Sequence, residues 1–521
     1  MGFDYDFNHG SSEIVGQVGA KQVQVSAEEY DEELYQRVLK RVDRRIMPLV
    51  LFQYLIMRID VNNVSNVAIL NVEQGTDIKT QLGLSAQQWV WVIASFYYPY
   101  MFLEPVSTIL LKKSTPPVWI SRIMVTWGIL TCSVAAVKTY GALIALRALI
   151  GAAEAGYFPC IIYFWTFWYT PAELAIRVAA LYSMAALSGF VGGFLSYAIS
   201  FANGRLAGWQ WLYIIEGLMP IGVGILTYFA LPAYPDRAKW LTEKEKNVII
   251  KHLHRDAPKV TGKTWSWSAA RLLFTDPTYY TFTFAWICTG VGGNGIIYAL
   301  PQVIKDLGFA DSRKSNILTM PPAFASFSLV LILGYYIRRG LINPFPTVVV
   351  LDIVLIACYI VLLTVETVGV RYFVLVVSTA ASQCIYPMLW PKRVQALRGT
   401  AMAGLGIGLH NAASQFSGIL GPQIFSPAYA PRYTISYRVC VGLLAGGITF
   451  HLLTWLLMHG PVQKYVPSLA QHIQSQTQIR KRDLEAHWSS EGNESVGDVE
   501  SIKISSVLGK QVLVMDLEVE N

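Results

Sequence analysis

Stretches of about 20 mostly apolar residues, each long enough to cross a bilayer as a helix, recur roughly twelve times along this chain of 521 residues. They fall near 48–70, 89–111, 117–137, 140–167, 177–201, 211–231, 278–301, 315–337, 344–366, 372–395, 400–425 and 436–458. In hydrocarbon a helix satisfies its own backbone hydrogen bonds, so a chain built this way is expected to fold as a packed set of spanning helices. With 53% hydrophobic and 14% charged residues and a mean hydropathy of +0.40, the composition lies outside that of an ordinary soluble domain. The expected fold class is an all-α membrane protein of about twelve transmembrane helices.

The segment from Pro232 to Pro277 is the long internal polar stretch, and it divides the spans into two groups of six. The expected organisation is therefore a tail over 1–47, a six-helix bundle over 48–231, a central loop over 232–277, a second six-helix bundle over 278–458 and a tail over 459–521. In the loop, "LTEKEK" offers Thr242 as a helix N-cap with Glu245 three residues on, a capping box that should start an amphipathic helix along the membrane face. The loop is read as a connector, with His252 and His254 as surface residues.

Lys and Arg gather at Arg41, Arg44 and Arg45, at Lys112 and Lys113, between Arg237 and Arg271, at Arg338 and Arg339, at Lys392 and Arg393, and at Arg480 to Arg482. By the positive-inside rule that side is cytosolic and holds both termini. The +7 formal charge is thus a topology signal, and no nucleic-acid partner is expected. The first 45 or so residues are polar and carry "EEYDEE" (Glu28 to Glu33), so no cleavable signal peptide is expected and the first span should direct insertion. The six cysteines fall inside spans without metal spacing or a disulfide pattern and read as small core hydrophobes; no metal site is expected. The tail "SSEGNESVGDVESIKISS" reads as disordered, and its sequon at Asn493 lies on the cytosolic side, where glycosylation is not expected.

Charges inside the spans carry the functional signal, because one at mid-bilayer costs about 2.5–3.5 kcal/mol even on mild insertion scales. "RALIGAAEAGYFP" places Arg147 and Glu154 seven residues apart, on nearly the same helix face and about 10 Å along it, with Gly151 between them. A direct bridge fits poorly. A polar stripe with a gap for water or an anionic group fits better, Arg147 offering a fork of donors for a carboxylate and Glu154 a proton-exchanging carboxyl. The bland alternative is that both pair with other helices as packing glue. The first span contains "RIDVNNVSN", with Arg58, Asp60, Asn62, Asn63 and Asn66, polarity that implies a water-filled lining; helix-to-helix hydrogen bonding explains each Asn singly as well. Asn294 with Tyr298, an i, i+4 pair on the seventh span, and His410 with Asn411 are further candidates to face a central cavity, although for His410 a satisfied helix contact is the plainer reading. Glu216 and Asp352 have no obvious partner in sequence. "FWTFWY" (Phe164 to Tyr169) reads as an interfacial aromatic belt, and the small-residue runs Ser188 to Phe194 and Gly399 to Gly408 as sites of close helix approach.

The R-x-L-x-G-x-x-E-x-x-x-x-P pattern in "RALIGAAEAGYFP", followed by "WYTPAELAIRVA" and "GWQWLYIIEG", resembles the anion:cation symporter branch of the major facilitator superfamily, in particular its fungal allantoate-permease-like group. "LEPVSTILLKK", "YPDRAKWLTEKEK", "LPQVIKDLGF" and "APRY" extend the likeness over the spans. The resemblance implies alternating access between two bundles, with an organic anion moved together with protons. Carried over, Arg147 contacts the substrate carboxylate and Glu154 couples to protons; Asp60 is a further proton-coupling candidate, and Arg58, Glu104, Glu173 and Arg177 are candidate gating or structural charges. The first span departs from the family's D-R-x-N-x-x-N: Val61 follows Asp60, and the nearest arginine is Arg58. The loop signature D-R-x-G-R-R is missing, and "SGFVGG" lacks the proline of drug:proton antiporters.

The leading expectation is a monomeric, multi-pass plasma-membrane symporter of a small organic anion, driven by the proton gradient without a cofactor. Its partners are then the anion, protons and the bilayer. An exporter of an acidic metabolite is the rival within the class, and a transporter-derived nutrient receptor signalling through Ser489 to Ser506 the rival from another. An enzyme is not expected, since no zinc spacing, nucleophile elbow or phosphate loop is present.

Overall fold

The structure, a computed structural model, describes residues 10–111, 114–202, 204–253, 273–309, 311–396 and 400–459, with side chains from Glu32 onward. Outside the described residues lie Lys112 and Lys113, the loop stretch containing His254, the side chains of Lys392 and Arg393, most of the Gly399–Gly408 run, and the tail from 460 with Arg480 and Asn493. By internal contacts the chain divides into Met1–Trp455 and Leu456–Asn521, and of the second unit only the close of one helix is described.

Every regular element among the described residues is helical. The first half of the chain runs α1 (Gly10–Val67), α2 (Ala86–Ser95), α3 (Tyr97–Leu111), α4 (Pro116–Val134), α5 (Tyr140–Glu154), α6 (Tyr157–Trp165), α7 (Pro171–Ile199) and α8 (Gly208–Ala230). The central loop holds α9 (Glu243–Leu253). The second half runs α10 (Pro277–Asn294), α11 (Met320–Arg338), α12 (Pro344–Thr364), α13 (Val368–Ala396), α14 (Thr400–Ser414), α15 (Phe416–Ile424) and α16 (Thr434–His459), with short helical turns between α10 and α11. Local chemistry sets the starts. Proline occupies the first turn of α4, α7, α10 and α12, where its missing N–H costs nothing. At α2, Ser85 and Gln88 cap each other reciprocally.

Nine helical segments among the described residues are long and apolar enough to cross a membrane. The other three expected spans, 48–70, 89–111 and 400–425, are helical too, but the first is polar and the other two are interrupted, at Phe96 and at Gln415. These three carry, among other buried polar groups, Asp60, Asn63, Asn66, Glu104, His410 and Asn411.

Packing follows the small residues. Helix α4 lies on α8 where Gly128 and Gly217 let the backbones meet; a methyl on Gly128 would stand 2.6 Å from the Gly217 carbonyl oxygen. Across the two halves, α7 packs on α11 and α13, α2 on α15 and α3 on α14. The Ser188–Phe194 run lies in the α7–α11 contact: a Cβ on Gly193 would meet Thr319 Oγ1 at 2.5 Å.

At the end of the bundle where Arg and Lys gather, the predicted capping box forms. Glu245 Oε2 accepts the Thr242 N–H at 2.9 Å and Thr242 Oγ1 accepts the Glu245 N–H at 3.4 Å. Its helix is more than a connector. Arg41 of α1 pairs with Glu245 at 2.7 Å, and Tyr35 stacks on His252 with ring centroids 4.0 Å apart. His252 is therefore half-buried beneath α1, which corrects the reading of it as a surface residue; helix α1 begins well before the span and covers it. The aromatic belt is corrected as well. Phe164, Trp165, Trp168 and Tyr169 are all buried within the protein, because Trp240 stacks on Trp168 and Arg177 lies 3.8 Å above the Tyr169 ring.

Candidate functional site

On α1, Asp60 points into the first half of the chain, where its Oδ2 accepts the Thr131 hydroxyl of α4 at 2.9 Å. Arg147 of α5, fully buried, lies close enough to Asp60 and to Glu216 of α8 to act on both charges. Its guanidinium stands 5.0 Å over the Phe96 ring, and none of its three nitrogens has a hydrogen-bond partner among the described residues. Glu154, two turns along the same helix, is also fully buried, and neither of its oxygens is hydrogen-bonded among the described residues. Arg58, Arg147 and Asp60 all act on it. The sequence singled out Arg147 for substrate, Glu154 and Asp60 for protons and Arg58 as a gating or structural charge; the fold brings these four near one another, with Glu216 beside them.

Arg147 and Glu154 form no ion pair, as their spacing predicts, but the gap between them is not open. A side chain on Gly151 would collide with the Phe96 carbonyl, so the bare face of Gly151 is filled by the backbone at the α2–α3 junction. The expected water or anion pocket between the two charges is thus corrected: glycine serves close helix approach here. Arg58 looks the other way. Tyr54, Tyr97, Tyr298 and Glu154 surround it, and Tyr298 belongs to the second half of the chain, edge-on to Tyr97 at 5.6 Å. Arg58 is therefore a cation at the junction of the halves, while Arg147 lies beside Asp60 of α1 and Glu216 of α8 in the first half.

A cavity of about 50 Å³ lies farther along the same junction, lined in part by Asn62, Ser65, Asn66, Thr319, Ser326 and Gln383. Asn62 donates to Ser188 Oγ of α7 at 2.9 Å, a helix-to-helix bond, while Asn66 donates at 2.8 Å to Asn63 Oδ1 on its own helix, which also accepts the Ser196 hydroxyl of α7 at 3.3 Å. Ser65, which sequence reasoning passed over, donates to the Tyr298 carbonyl at 2.8 Å and ties the halves together.

The remaining candidates separate. Asn294 ends α10 and Tyr298 sits in the 3-10 turn that follows, so the expected i, i+4 helical pair is interrupted. Tyr298 turns its hydroxyl to Ser417, 3.4 Å away. His410 is enclosed by Phe282 and Trp286, each 4.8 Å between centroids, with Thr283 Oγ1 3.2 Å from its Nδ1; it is a packed helix contact away from the cavity. Its neighbour Asn411 donates to Glu104 of α3, a buried bond between the two halves. Glu173 accepts the Tyr35 hydroxyl at 2.9 Å, and Arg177 forks onto Asp43 at 2.9 and 2.7 Å. Both hold the start of α7 against α1, far from the central cluster in sequence and in role.

These buried charges sit on a helical scaffold whose family the comparisons decide. Residues 51–422 match the family model of the Major Facilitator Superfamily. The chain belongs to that superfamily. Curated relatives of this major facilitator protein include "MFS transporter prlL" of Fungal sp. (strain NRRL 50135), 28% identical over 82% of this chain and 87% of that protein. A "Putative tartrate transporter" of Agrobacterium vitis is 30% identical over 75% of this chain and 85% of that protein. Among solved structures, a bacterial homolog to the human lysosomal transporter Spinster, inward-facing and unoccupied, covers 81% of this chain and 97% of its own at a TM-score of 0.58 and 15% identity, a likeness of fold. The protein is accordingly a multi-pass membrane transporter of the major facilitator fold. Within it, Ser65 is the residue sequence reasoning missed, and Glu216 the one it noticed without a role. A lone acid in an apolar run was the signal for Glu216; its partners lie on helices distant in sequence.

Proposed function

We propose that this major facilitator protein carries a small organic anion across the plasma membrane together with protons, both termini cytosolic, as a monomer and without a cofactor. The observation behind the reading is the charge balance of the central cluster: two cations, Arg58 and Arg147, face three carboxyls, Asp60, Glu154 and Glu216. A net buried charge is costly, so the cluster is electroneutral when it carries one proton. Entry of a carboxylate beside Arg58 adds a negative charge that a further proton balances, which ties anion movement to proton movement. Glu154, buried beside the Asp60 carboxyl with neither oxygen hydrogen-bonded among the described residues, is the carboxyl assigned to take it. The tartrate-named relative supports a hydroxy-carboxylate as the solute class.

The test is uptake of radiolabelled tartrate and other small carboxylates into proteoliposomes with an acidic exterior, comparing wild type with Arg58→Ala, Arg147→Ala and Glu154→Gln. Acid-driven uptake, lost in Arg58→Ala and uncoupled from pH in Glu154→Gln, supports the symporter. No carboxylate uptake at any pH by folded wild-type protein rejects it, and product accumulation in cells lacking the protein would then select export.

A further inference from the structure

A further buried acid lies in the other half of the chain from Arg147. Asp352 of α12, fully buried, has its Oδ2 3.6 Å from His451 Nε2 of α16, itself 2% exposed. The hydroxyl of Thr289 on α10 stands 3.1 Å from the same nitrogen and within reach of the Asp352 carboxyl. Three helices thus converge on one carboxyl, one imidazole and one hydroxyl. Asp352 lies eight residues, about 12 Å, in from Pro344 and His451 eight residues, about 12 Å, before His459, so both sit well inside their helices. Close approach is built in by Gly447, where a Cβ would stand 2.5 Å from Thr289 Oγ1.

The other groups facing the site are weak acids or neutral. Tyr386 on α13 acts on Asp352, and Cys288 lies beside Gly446 and Gly447 on the α10 side. Among the described residues the imidazole is the basic group in contact, and its far nitrogen, Nδ1, is buried without a hydrogen-bond partner there. A carboxyl and an imidazole enclosed together are neutral as a pair when they hold one labile proton between them, on the acid or on the ring; adding or removing one leaves an unbalanced buried charge. Hydrophobic residues of similar volume would pack three such helices without that constraint.

We propose that Asp352, His451 and Thr289 form a proton-binding site of their own, with one exchangeable proton shared by carboxyl and imidazole and passed between them beside the Thr289 hydroxyl. The site is independent of which solute the protein carries and of the Arg147–Glu154 cluster.

Proton binding is read directly by infrared difference spectroscopy of the purified full-length protein in lipid while the bathing pH is stepped, with no solute present. Wild type should show a carboxyl band and an imidazole band changing over the same pH interval. Asp352→Asn should abolish that carboxyl band and displace the imidazole band; His451→Gln should abolish the imidazole band and displace the carboxyl band. Thr289→Val, which keeps both titrating groups, guards against misfolded variants and should displace both bands together, whereas Glu154→Gln should leave them unchanged. Carboxyl and imidazole bands that titrate independently in wild type, or a carboxyl band untouched by Asp352→Asn in folded protein, would overturn the proposal. Because no transport is measured, these outcomes are distinct from failure of the symport reading.

Discussion

At the scale of single residues, the central cluster is held by charge more than by hydrogen bonds. Arg147 touches an aromatic face and acts on Asp60 and Glu216, with no hydrogen-bond partner among the described residues. Removing one partner from such a group leaves the others unbalanced, at a cost of about 3–5 kcal/mol. Arg147→Ala should therefore lower the thermal unfolding midpoint in detergent as well as abolish transport. Adding Glu216→Gln to Arg147→Ala should recover part of the stability and none of the transport; a double variant no more stable than the single one would separate Glu216 from the cluster. Gly151 makes a second prediction. Its face is filled by the Phe96 carbonyl, so Gly151→Ala forces α5 off the α2–α3 junction, costing about 1–3 kcal/mol as overpacking does. Midpoint measurements on that variant check it, with Gly141→Ala, where an added methyl meets open space, as the quiet comparison.

At the scale of elements, the first helix is the informative case. Composition places 1–47 outside the membrane, and the structure adds that the part from Glu32 docks on α7 and α9 through Tyr35, Arg41 and Asp43. Burial and the adjoining Glu173 carboxylate push the Tyr35 phenol well above its usual range, so it stays a donor at any physiological pH. Asp43→Asn loses the fork onto Arg177, and limited proteolysis should then cut ahead of residue 48 faster than in wild type. Equal cutting rates would show that stacking on His252 and the Arg41–Glu245 pair suffice. The same element shows why the aromatic run misled: interfacial belts and buried aromatic clusters share a composition, and the covering helix is distant in sequence.

At the scale of the whole molecule, the end opposite the basic loops is latched between the halves. Glu73 accepts from the backbone N–H and hydroxyl of Ser312 at 2.9 and 2.8 Å and pairs with Lys305 at 3.3 Å. Partial burial pushes this carboxyl up, but the Ser312 hydrogen bonds and the Lys305 charge outweigh it and hold Glu73 below its ordinary value. A carboxyl depressed by the latched state stabilises that state fully above the ordinary glutamate range, about pH 4.3, and progressively less as pH falls through the depressed value. Spin labels placed on the two halves at this end should report separation on strong acidification, and Glu73→Gln should produce it already at neutral pH. Distances indifferent to both would assign the latch to Ser65, Gln87 and Arg313, which also cross between the halves.

The sequence by itself determined the all-helical membrane class, nine of the twelve expected spans and the presence of costly charges, since each follows from local composition and a helix's length. It also determined the Thr242–Glu245 cap, whose partners are three residues apart. The tertiary structure alone decided what those charges face: Arg58 the junction of the halves, Arg147 a closed interior, Asp352 a histidine 99 positions away. Periodicity fixes which residues share a helix face, but the partner of that face is set by how small residues such as Gly151, Gly193 and Gly217 allow distant helices to approach.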